Sequence, residues 1–102
     1  MKGFESFWKE LQKEFATKKK VRNWTVKKEY FGDDFSAQIN SDNQIVCTTP
    51  DGSVNHANKS DFELVCDNWE EYLSERIPRK YLTEKSFVTK YTISITHQLM
   101  KT

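Results

Sequence analysis

The chain has 102 residues, enough for one hydrophobic core and too few for two. Its 14% aromatic share, carried by seven Phe, four Tyr and three Trp, argues for a folded domain, because disordered chains have little to bury. No apolar run approaches the ~18 residues of a membrane span, and the formal net charge of +1 conceals a segregation: residues 18–30 and 76–102 each carry six positive charges and one negative, whereas residues 31–75 carry one positive and ten negative.

In chain order, residues 3–18 read as an amphipathic helix. Phe4, Phe7, Trp8, Leu11 and Phe15 fall on one stripe of a 3.6-residue period, with Lys2, Glu5, Lys9, Glu10, Lys13 and Glu14 opposite. Such a stripe packs on a core or on a second copy of the chain. Lys18-Lys19-Lys20-Val21-Arg22 follows as a positive run, which suits either the negative end of a helix dipole or an anion-contacting loop. Period-two alternation then predicts three or four antiparallel strands near residues 23–29, 34–40, 44–49 and 53–56. Turn chemistry separates them at Gly32-Asp33-Asp34, Ser41-Asp42-Asn43 and Pro50-Asp51-Gly52.

Ser60 with Glu63 three residues on forms a capping-box signature, which predicts a helix to about Glu75. Its apolar stripe is Phe62, Val65, Cys66, Trp69, Tyr72 and Leu73. Its outer face is acidic, and Arg76 and Arg79 are the local cations that would meet it. Pro78 interrupts, Arg79–Leu82 reads as a short helix, and Ser86 is a cap for the last segment, Phe87 to Lys101. That segment fits a helix and also shows strand alternation at Tyr91, Ile93 and Ile95; its length favours a helix. The whole is an α+β chain: one N-terminal helix, a three- to four-stranded antiparallel sheet and C-terminal helices.

The strand Gln44–Thr49, the Pro50-Asp51-Gly52 turn, and Asp61-Phe62-Glu63 opening a helix continue into Trp69, Tyr72, Ile77, Arg79, Leu82, Ser86, Tyr91 and Ile95. Over residues 35–99 this pattern resembles small uncharacterised bacterial proteins of mobile origin, of the integron-cassette and phage type. His56 and Ala57 depart from it, where a basic and a larger apolar residue are expected. The resemblance implies a small sheet followed by helices, a helical last segment, and no particular activity.

Cys47 and Cys66 are too few for a disulfide framework and read as reduced. With His56 and His97 they do not reach zinc-ligand spacing. Three glycines make no phosphate-cradling loop, and Glu70-Glu71 point apart on a helix. No catalytic residue, metal site or cofactor is expected. With no signal-peptide pattern at the start, the expected compartment is the cytoplasm. The sequence favours a non-catalytic binding or assembly module, self-associating through Phe4, Phe7, Trp8, Leu11 and Phe15. A nucleic-acid binder is the alternative. It would use Lys18, Lys19, Lys20, Arg22, Arg79, Lys80, Lys85 and Lys90, with a helix-turn-helix-like C-terminal pair placing Lys85, Thr89 and Lys90 toward a groove. A pocket for a small apolar ligand between helix and sheet is a third reading.

Overall fold

The structure, a computed structural model, describes residues 3–100; Lys2 and Lys101, at the ends of two predicted helices, lie outside them. The chain is α+β. Helix α1 (Phe4–Glu14) leads into β1 (Lys19–Val21), a small hairpin of β2 (Trp24–Thr25) and β3 (Glu29–Tyr30), then β4 (Phe35–Ile39), β5 (Ile45–Thr48) and β6 (Val54–Ala57). Four helices follow: α2 (Lys59–Asp67), α3 (Trp69–Leu73), α4 (Arg79–Thr83) and α5 (Thr89–Met100). The main sheet is antiparallel in the order β1-β4-β5-β6, and β2–β3 forms a separate two-stranded sheet.

The stripe of α1 is spent inside the fold. Leu11 and Phe15 are fully buried, Phe7 and Trp8 nearly so, and the Trp8 ring lies 5.8 Å from Phe62 of α2. Of this stripe only Phe4 is partly exposed, so the residues expected to meet a second copy are covered by the chain's own core. The end of α1 is tied to the sheet where the Ile39 N–H donates to the Phe15 carbonyl at 2.8 Å. Phe35 and Ala37 of β4 and Ile45 and Cys47 of β5 face the same core, and alternate residues face outward.

Three predicted boundaries require correction. The strand expected at 23–29 is the short β2–β3 hairpin, and the pairing strand before β4 lies in the basic run, where Lys19, Lys20 and Val21 oppose Ala37, Ser36 and Phe35. Lysines on an edge strand discourage further pairing, and they mask a three-residue strand in the sequence. The cap of α2 is Asn58, not Ser60: Asn58 is extended, and its N–H donates to the Asp61 carboxylate at 2.8 Å. The helix expected to run to Glu75 breaks at Asn68. There the side-chain amide donates to the Leu64 carbonyl at 2.9 Å, in competition with the helical ladder.

The last segment is helical. α5 packs against α2, β2, β1 and α4, and Thr89, Thr92, Ile93, Ser94, Ile95 and Thr96 are all buried. Its hydroxyls are largely satisfied by backbone: Thr89 Oγ1 donates to the Ser86 carbonyl at 2.9 Å, and Thr92 Oγ1 to the Thr89 carbonyl at 3.3 Å. Ser86 Oγ accepts the Val88 N–H at 3.3 Å and donates to Asp61 Oδ1 at 2.9 Å. Asp61 thereby joins the start of α2 to the entry of α5. Asp61→Ala removes both bonds and is expected to cost about 1–3 kcal/mol by denaturant unfolding.

Cys47 and Cys66 are free and buried, and burial pushes both thiols up to about 12 from an ordinary 9.0. The native thiols therefore stay protonated and are expected to react with an aromatic disulfide only as fast as the protein opens. In the alkaline window between 9.0 and about 12 the unfolded chain loses these protons and the native chain keeps them. Stability is therefore expected to fall as pH rises above about 9. Cys47→Ser, which removes one such group, is expected to shallow that fall when unfolding free energy is followed against pH.

Candidate functional site

A cleft of about 480 Å³ opens between the β2–β3 hairpin and the α3–α4 connection. The hairpin side supplies Thr25, Val26, Lys27 and Lys28, with Phe31 just beyond β3. The helical side supplies Tyr72 from α3, then Glu75, Ile77, Pro78 and Arg79. The hairpin is held against the body by main-chain N–H groups that donate to side-chain hydroxyls. The Trp24 N–H donates to Ser94 Oγ of α5 at 3.0 Å, and the Val26 N–H donates to the Tyr72 hydroxyl at 3.1 Å. The hairpin turn is shaped by the Lys28 N–H, which donates to Thr25 Oγ1 at 3.1 Å.

Behind the cleft runs a stack of rings. Trp24 lies 6.1 Å from Trp69, and Trp69 lies 5.9 Å from Tyr72. On its other side Trp24 stacks on His97 at 3.8 Å and 6°. These contacts place two indoles close to the Tyr72 floor. Desolvation by burial raises the Tyr72 phenol above its ordinary value, so it remains a neutral hydroxyl at physiological pH.

The electrostatics are unbalanced. Lys27, Lys28 and Arg79 face one carboxylate, Glu75. Among the described residues the ion pairs are Lys19–Glu14 and Lys59–Glu5, and neither involves the cleft. The Lys28 ammonium lies 5.7 Å from the centre of the Phe31 ring. Arg79 Nε is buried with no hydrogen-bond partner. Glu29, directly after Lys28, and Glu75 are non-glycine residues at positive φ, 54° and 62°. Such backbone costs about 1 kcal/mol or more and concentrates where a site is being shaped. Val26, Phe31, Ile77 and Pro78 give the same cleft apolar walls.

A second, more polar hollow of about 340 Å³ shares Phe31 and is lined by Asn23, Asp33, Asp51, Lys90 and Tyr91. Asn23 donates its amide to the Asp33 carbonyl, and its Oδ1 is buried without a partner. Hydrogen bonds from Thr49 and Ser53 hold the Asp51 carboxyl below its ordinary value. Among the described residues no group of three His, Cys, Asp or Glu side chains is placed to hold a metal.

Most of the basic residues singled out from sequence lie outside the cleft. Lys18, Lys19, Lys20 and Arg22 are exposed along and beside the β1 edge, with Arg22 4.0 Å over the Tyr30 ring. Lys80 and Lys85 are exposed on and after α4, and Lys90 borders the polar hollow. Only Arg79 reaches the cleft, where it joins Lys27 and Lys28 of the first basic block. Thr89, expected to face a groove, is buried and bonded to the Leu82 and Ser86 carbonyls. α5 is thus largely a core helix, on which Lys90 is exposed. Arg76, expected against the acidic helix face, instead donates to Ser74 Oγ at 3.0 Å. Sequence reading missed Lys27, Lys28, Tyr72 and Glu75 as site residues. No sequence signal separates those two lysines from any solvated turn.

No protein-family model matches the chain, and neither curated proteins nor solved structures yield a match. The likeness of residues 35–99 to small proteins of mobile origin therefore rests on its sequence features alone.

Proposed function

We propose that the chain is a non-catalytic binding domain that takes a small organic anion in the cleft between the β2–β3 hairpin and the α3–α4 connection. One observation carries this reading: Lys27, Lys28 and Arg79, some fifty residues apart, converge on one partly apolar cleft without ion-pair partners among the described residues. Unpaired cations along a low-dielectric wall concentrate anions. The volume lies in the range of small-molecule sites, and the mix of apolar wall and few polar groups is typical of them. The position of the remaining basic residues outside the cleft, and the burial of most of α5, favour a small ligand over a nucleic acid.

Trp24 and Trp69 stand within one or two rings of the floor, so intrinsic fluorescence reports occupancy. Titration with a panel of small organic anions is expected to give saturable quenching or enhancement that weakens with added salt. Replacing Lys27 and Lys28 together by Ala is expected to weaken binding roughly three- to tenfold, as for two exposed charges. Absence of saturation by any anion, or saturation indifferent to both salt and the double substitution, would contradict the proposal.

A further inference from the structure

We propose that two copies of the chain pair antiparallel through the free edge of β6, so that one sheet runs through both. No residue of β6 lines the cleft, so this surface is independent of what the cleft binds. The main sheet ends on β1 and on β6, and the two ends differ. β1 is three residues long, carries Lys19 and Lys20, and has the Lys20 carbonyl taken by the Gln98 side-chain amide at 3.3 Å. Short length, lysines and a covering side chain all close an edge to further pairing. β6, Val54-Asn55-His56-Ala57, carries no Lys, Asp, Glu or Pro. The Thr49 N–H donates to the Ser53 carbonyl at 3.0 Å. The alternation of an antiparallel ladder then turns the main-chain groups of Asn55 and Ala57 toward β5. Those of Val54 and His56 point outward, and among the described residues no other strand pairs with them.

The surroundings of this edge are apolar and exposed. Val54 is 54% exposed, and the Phe87 ring is fully exposed. Asp61 accepts both the Asn58 N–H at 2.8 Å and the Ser86 hydroxyl at 2.9 Å, which places Phe87 beside the end of β6. Ser86 and Val88 are buried on either side, so the ring is held outward. Self-complementarity selects a second copy as the occupant. With two strands laid antiparallel about Asn55, Val54 falls opposite the partner's His56, and His56 opposite the partner's Val54. Each of these two pairs exchanges both of its main-chain bonds, and no like charges meet. At each end of the pair, the turn carrying Asp51 of one copy comes beside the start of α2, carrying Lys59, of the other, so the flanking charges are opposite. Two short bonded pairs with Val54 and Phe87 cover less than the ~1,600 Å² of a standard interface, so the dimer is a weak one, with Kd between about 10 µM and 1 mM.

Sedimentation equilibrium from about 10 µM to 1 mM is expected to show monomer and dimer in exchange. Across that range the Val54 and His56 amides, open to water in the monomer, are expected to exchange at least about twofold more slowly at the top than at the bottom. The Asn55 and Ala57 amides, bonded to β5 in both states, are expected to stay unchanged. His56→Pro removes an outward donor and none of the bonds from β6 to β5; it is expected to weaken the dimer roughly tenfold or more. Val54→Lys is expected to do the same by placing a charge on the edge, and it serves where the proline variant does not fold. A monomer throughout the range, growth beyond a dimer, a dimer that both variants leave within twofold of the original Kd, or Val54 and His56 exchange indifferent to concentration would overturn the proposal.

Discussion

The Ser94 hydroxyl, sealed inside α5, is the contact on which the candidate site depends. It accepts the Trp24 N–H at 3.0 Å and has the Lys90 carbonyl at 3.0 Å for its own proton. A hairpin whose strands are two residues each has no stability of its own. It is placed by what it docks on: Ser94 holds its first strand, Tyr72 holds Val26, and the Trp24 ring wedges between Trp69 and His97. Without that docking, Lys27 and Lys28 would be ordinary solvated turn residues, and Arg79 would have no facing wall.

α5 can serve as the pivot because it is both polar and buried. Thr and Ser lower its intrinsic helix propensity, and their hydroxyls add a desolvation cost that must be met by hydrogen bonds. The bonds of Thr89, Thr92 and Ser94 to nearby carbonyls meet most of it, while Thr96 Oγ1 has no partner. Ile93 and Ile95 supply the apolar contact, on opposite sides, to the two core clusters. The helix thus bridges the sheet-and-α1 core and the core formed by β2, α3 and α4.

The amphipathic first helix, the three longer strands and the turn at Pro50-Asp51-Gly52 were legible because local periodicity and turn chemistry agree there with the tertiary arrangement. The last segment was ambiguous because a helix buried over most of its surface, with Thr and Ser among its buried residues, shows no clear polar stripe, so its alternating Tyr91, Ile93 and Ile95 imitate a strand. The break at Asn68 was illegible because a side-chain amide competing for one carbonyl leaves the apolar spacing of Val65, Cys66, Trp69 and Tyr72 intact. The cleft was the least legible part. Arg79 stood out as a basic residue, but its meeting with Lys27 and Lys28 is made by docking through Ser94 and Tyr72, and no local pattern encodes a contact across 70 residues.

The central claim is that a buried hydroxyl on α5 positions the hairpin wall of the cleft. Native-state amide hydrogen exchange at Trp24 and Val26, compared between the unsubstituted protein and Ser94→Ala, tests it most directly. Loss of one partner of a buried hydrogen bond costs about 1–3 kcal/mol. The account therefore expects both amides to exchange roughly tenfold or more faster in the variant, while amides pairing β4 with β5 keep their protection. Unchanged exchange at Trp24 and Val26, or equal acceleration throughout the β4–β5 pair, would contradict it.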